Sequence, residues 1–147
     1  MKRYCEDYKD APRCIERILK WTGYQVRVKR EAGFSCPWDK ERPYDHFRYR
    51  VSIKAPGGAL TRFYFWGSRD EYQKNGTCDT WEMIGSWVRD SEYGEMSFED
   101  CCSELGENPD SIAALKMWKS CCRVLAACNR IFPERIKEAI THCAYQM

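Results

Sequence analysis

Apolar and polar residues alternate most strictly from His46 to Lys54. Phe47, Tyr49, Val51 and Ile53 occupy one set of positions, and His46, Arg48, Arg50, Ser52 and Lys54 the other. Successive side chains of a strand point to opposite faces, so the pattern predicts a β-strand with one face in a core and one in water. Tyr24 to Lys29 repeats it over a shorter span, with Val26 and Val28 set between Gln25, Arg27 and Lys29. Pro56, Gly57 and Gly58 form a turn signal, and Leu60 to Trp66 is the expected partner strand of an antiparallel hairpin. Phe63 and Phe65 are expected inward, and Arg62, Tyr64 and Trp66 outward. The alternation is weak enough there that a one-residue slip would exchange the two faces.

Helical spacing takes over on both sides of this strand-rich centre. Cys14, Ile15, Ile18, Leu19 and Trp21 form an apolar stripe, with Asp10 placed to cap it, Pro12 in its first turn and Gly23 to end it. Asp79 is placed to cap a helix through Val88, with Trp81, Ile84 and Val88 on its inner side. Ser97, with Asp100 three residues on, resembles a capping box for a short helix that starts at Phe98 and ends at Gly106. Asn108 is then expected to cap a long helix with Pro109 at its first position. That helix should reach Ile131 and bury Ile112, Leu115, Trp118, Cys122, Leu125 and either Cys128 or Ile131. Pro133 opens a last helix with Ile136, Ile140 and Cys143 on one stripe. The corner at 97–118, with Phe98, Leu105, Ile112, Leu115 and Trp118 as core candidates, is the expected organising centre of the chain. Gly33 to Tyr44 and Gly67 to Cys78 read as loops. Phe34 and Trp38, in the first of them, either pack back on the domain or form an interaction surface.

Three antiparallel strands followed by a run of helices is an α+β layout. Helices should cover the apolar face of a small antiparallel sheet and leave its polar face open. The 147 residues make one domain: 1–22 an added N-terminal helix, 24–66 the sheet and 79–145 the helical part.

The run Ser97-Phe-Glu-Asp-Cys-Cys-Ser-Glu-Leu-Gly-Glu-Asn-Pro-Asp-Ser111 also resembles the motif S-F-E-D-x-C-x-E-x-G-x-x-x-D-S of a family of small bacteriophage, prophage and mobile-element proteins. In that family one or two strands and a Phe-rich strand precede the motif and a Trp/Tyr-containing helix follows it. The match covers roughly Asp45 to Phe132; Cys101 replaces the usual aromatic, and 1–22 and 135–147 lie outside it. The resemblance implies a mobile-element origin and carries no assigned activity. Small phage proteins that block host defence often do so by occupying a nucleic-acid site on a host protein or ribonucleoprotein complex, as anti-CRISPR proteins do. Stoichiometric inhibition of such a bacterial defence complex is the functional expectation.

Composition bears on this mainly through charge and cysteine. The net charge is only +2, yet residues 20–69 carry +7 and residues 70–120 carry −8. Arg27, Lys29, Arg48, Arg50, Lys54 and Arg62 are expected on the polar sheet face with Tyr64 and Trp66 among them. Arginine interleaved with aromatic rings suits phosphate contact and base stacking, so these residues are the candidate partner-binding site and nucleic acid is an alternative partner. The acidic segment, with Asp70, Glu71, Glu82, Asp90, Glu92, Glu95, Glu99, Asp100, Glu104, Glu107 and Asp110, offers the opposite reading, a surface resembling phosphates to a basic host protein.

Ten cysteines show no C-x-x-C and no Cys/His spacing of a zinc finger. They are expected as free thiols acting as small hydrophobes, with no cofactor and no metal; a zinc or redox site on Cys101, Cys102, Cys121 and Cys122 is the third reading. Only His46 and His142 are present, and no hydrolase, metalloprotease or phosphate-loop motif occurs, so a binding protein is expected rather than an enzyme. No signal-peptide core follows Met1 and no apolar run approaches a membrane span, which points to the cytoplasm of the bacterial host cell.

Overall fold

In a computed structural model that describes residues 11–31, 33–39, 41–44, 46–68 and 80–146, the strictly alternating stretch is the middle strand of a three-stranded antiparallel sheet. The strands are β1 (Gln25–Glu31), β2 (His46–Lys54) and β3 (Leu60–Ser68), in the order β1-β2-β3. Val51 lies opposite Val28 on one side and Phe63 on the other. This register puts Val26 and Val28, Phe47 to Ile53 at alternate positions, and Phe63 and Phe65 on one face, as the hairpin reading requires. The turn between β2 and β3 closes with the Ala55 N–H donating to Ala59 O at 2.8 Å, and Gly58 supplies a φ of +95° there.

Five helices among the described residues complete the α+β fold: α1 (Ala11–Trp21), α2 (Thr80–Ser91), α3 (Phe98–Leu105), α4 (Ile112–Ile131) and α5 (Glu134–Ala144), with a 3-10 turn at Glu92–Glu95. α1, α2, α5 and the C-terminal end of α4 cover the apolar sheet face. α2 is the centre of this layer. It touches α1, α4 and α5, and its Trp87 is 1% exposed, set edge-on to Phe63 at 5.8 Å and tilted to Phe65 at 5.2 Å. The Tyr24 hydroxyl ties the start of the sheet to the end of α4 by donating to Ile131 O at 3.0 Å.

Several expectations shift. Trp21 is 65% exposed, because the α1 stripe centres on Ile15, Ile18 and Leu19 and Trp21 falls at its margin in the last turn. The buried side of α2 is Met83, Ile84, Trp87 and Val88, with Trp81 half-buried, since neighbours on several sides bury more than one stripe. The proposed caps Asp10 and Asp79 lie outside the described residues.

The corner at 97–118 keeps its local design and loses its central place. Ser97 Oγ accepts the Asp100 N–H at 3.1 Å, and Gly106, at φ +69°, ends α3 while the Glu107 N–H donates to Cys102 O at 2.8 Å. Asn108 does not cap α4. Its Oδ1 accepts the Asp110 N–H at 3.0 Å in a local turn, Ser111 Oγ takes the Ala114 N–H at 3.2 Å, and the helix starts at Ile112 rather than Pro109. Ser111 is an equally good cap residue three positions on, and the turn at Asn108 uses the first candidate elsewhere. Ile112 is 63% exposed and Leu105 37%, while Cys101 and Cys102 take the buried positions of α3. Phe98 and Trp118 pair at 5.7 Å, half-buried, and the Trp118 indole donates to Met96 O at 3.1 Å. None of the five core candidates belongs to the central cluster. The 3-10 turn, by contrast, lies hard against α4: a Cβ on Gly94 would meet Cys122 Cα and N at 2.8 Å.

Candidate functional site

The antiparallel register decides which side chains share the open face of the sheet. Arg27, Ser52 and Arg62 lie across from one another, as do Lys29, Arg50 and Tyr64, and Glu31, Arg48 and Trp66; Lys54 stands opposite Gln25 and Leu60. All eight candidate residues, Arg27, Lys29, Arg48, Arg50, Lys54, Arg62, Tyr64 and Trp66, therefore lie on the face opposite the core.

They are not equivalent. Arg48 is engaged within the protein. Its Nη2 and Nε meet Glu31 Oε1 at 3.0 and 3.1 Å, and its guanidinium lies 3.4 Å from the Phe34 ring centre and 4.4 Å from that of Tyr64. The 33–44 loop folds back over the sheet in the same way: Trp38 stands edge-on to Trp66 at 6.2 Å, and Asp39 Oδ2 meets His46 Nε2 at 2.8 Å. The Arg42 backbone N–H and His46 together hold the Asp39 carboxyl below its usual range.

Beside β3 the sheet meets α4 in a groove of about 620 Å³. Arg50, Arg62, Phe63, Tyr64 and Trp66 form one wall, with Trp38 of the folded loop, and Lys116, Lys119, Ser120, Arg123 and Arg130 form the other. Among the described residues six cations and four aromatic rings line it, and no carboxylate or imidazole does. Arg130 Nη2 donates to Thr61 Oγ1 at 3.3 Å; among the described residues no ion pair engages Arg50, Arg62, Lys116, Lys119 or Arg123. Arg27, Lys29, Arg48 and Lys54 share the open face but do not line the groove.

The α4 cations are absent from the sequence reading of the site. Their signal was present: positions 116, 119, 123 and 130 fall within a narrow arc of a helix, and α4 contains no acidic residue. Charge totals drawn over 70–120 divided that row and hid its first half beneath the acidic residues before it.

The cysteines present a different chemistry. Burial raises the thiol pKa of Cys101, Cys102 and Cys122, and pushes Cys121 and Cys128 up to about 12, so the nucleophilic thiolate is disfavoured at each. No group of three His, Cys, Asp or Glu side chains among the described residues is placed to hold a metal ion. Among them, too, no helix is long and apolar enough to cross a membrane. No protein-family model, curated protein or solved structure matches the chain.

Proposed function

We propose that the protein is a nucleic-acid-binding protein of the bacterial cytoplasm, which holds a strand in the groove between β3 and α4 and performs no catalysis. The observation that carries this reading is the lining of that groove, six cations and the rings of Trp38, Tyr64 and Trp66 with no carboxylate among the described residues. Clustered Lys and Arg gain affinity from phosphates by releasing counterions, and aromatic rings add stacking that tolerates any base. Apart from Pro37 and Trp38 of the folded loop, both walls stand on regular elements, which favours a preformed site over one assembled on binding.

The test is binding of a labelled single strand by fluorescence anisotropy across a salt series. Engagement of all six cations gives a slope of log K against log salt of about −4. Arg50→Glu with Arg62→Glu is expected to weaken binding by about tenfold or more and to flatten the slope by about 1.4, with the melting temperature nearly unchanged. Unchanged affinity and slope in a folded double variant sink the reading.

A second reading has its own observation. Glu99, Asp100, Glu104, Glu107 and Asp110, on and after α3, are all exposed, and no ion pair engages them among the described residues. Such a surface resembles a run of phosphates to a basic partner. Together with the S-F-E-D resemblance, it supports docking to a host protein or ribonucleoprotein complex, with inhibition of a defence system as the outcome. Affinity capture from a bacterial host lysate with and without nuclease separates the two. A defined protein complex that survives nuclease favours docking, and nucleic acid alone favours the groove.

A further inference from the structure

A second, smaller cavity opens beside the groove and shares Trp38, Trp66 and Ser120 with it. Its volume is about 240 Å³, below the roughly 300–1,000 Å³ of sites for drug-sized ligands, so it suits one flat ring system rather than a whole nucleotide chain. Its walls are mainly apolar and aromatic, with Phe65, Trp87 and Tyr93 among them, yet among the described residues it holds one carboxyl group, Asp90, whose Oδ1 lies 3.7 Å from Arg89 Nε. The Trp87 indole N–H is buried behind the cavity wall, out of reach of a ligand there. Trp87 and Asp90 are three residues apart on α2, a spacing that puts them on one side of the helix.

We infer that this cavity receives one base of the bound strand, splayed out of the groove, held against its aromatic walls with Asp90 as the partner for a base N–H. The inference rests on the groove reading, since the phosphates on either side of that base would lie on the groove cations. Each nucleic-acid base carries both an acceptor and an N–H on its pairing edge. The pocket therefore selects for an accessible base and against a paired one, and it does not read sequence. RNA and DNA single strands offer the same chemistry.

The test compares a single-stranded oligonucleotide of about ten nucleotides, as RNA and as DNA, with an abasic strand of equal length and with a duplex. The protein is expected to bind either base-bearing strand about tenfold or more tightly than the abasic strand, and to quench its tryptophan emission only with the former. Leu105→Trp places a large side chain at the cavity wall from a position that is 37% exposed, so the fold is kept. This variant should bring base-bearing and abasic strands to nearly equal affinity, with abasic binding unchanged. Equal binding of the two strands by the unaltered protein, a preference for duplex, or a Leu105→Trp variant that keeps the full preference overturns the base pocket while leaving the groove standing. Absence of binding to every strand, the abasic one included, overturns both.

Discussion

Arg48 has its guanidinium between the Phe34 and Tyr64 rings and two of its nitrogens on one Glu31 oxygen. Such an arginine is a packing residue with a charge, and its side chain is what holds the 33–44 loop to the sheet beside Trp38. Arg48→Ala is expected to destabilise the protein by about 1 kcal/mol, a cation–π contact and a partly screened ion pair together, measured by denaturant titration. Its effect on strand affinity should be smaller than that of Arg50 or Arg62, which no partner engages among the described residues. At this scale the sequence was informative about direction and silent about availability. Alternation put Arg48 and Arg50 on the same face correctly, because it depends only on backbone geometry. That one guanidinium is neutralised and the other open depends on Glu31 and Phe34, which reach it through strand pairing and loop packing. Trp87 shows the same limit: an apolar stripe drawn through Trp81, Ile84 and Val88 passes it by, yet contact with Phe63 and Phe65 makes it the largest fully buried side chain.

Among the elements, the short 3-10 turn at Glu92–Glu95 has a role that its length conceals. Gly94 brings its backbone so near α4 that any side-chain carbon would press on Cys122 Cα and N at 2.8 Å, and both are backbone atoms that cannot swing aside. Gly94→Ala should therefore cost about 1–3 kcal/mol through overpacking, read as a lower melting temperature, and should loosen the α2–α4 connection where the small cavity lies. The sequence carries no sign of this role, because close approach leaves no periodic mark. The ends of α3 were legible, since the cap on Ser97 and the left-handed Gly106 are settled by residues within four positions of each other. The same local signals gave no account of what α3 packs against. A corner well specified by its caps is not thereby the centre of the fold, which is α2 against the sheet. For α4, Asn108 and Ser111 both fit the cap role, and the choice between them fell to the turn that precedes the helix.

For the molecule as a whole, cations gather on the open sheet face and on α4, while exposed carboxylates gather on and after α3. The total of +2 gives copies of the protein little reason to repel one another at long range. Opposite regions of neighbouring molecules attract instead, over a screening length of about 30 Å at 0.01 M salt and about 8 Å at 0.15 M. In static light scattering the osmotic second virial coefficient is expected to be low or negative in dilute buffer and to rise as salt is added. A coefficient that falls with added salt would mean that the two charged regions do not meet between molecules. The segregation that places six cations along one groove is thus also expected to make this a protein that salts in, more soluble as its charges are screened.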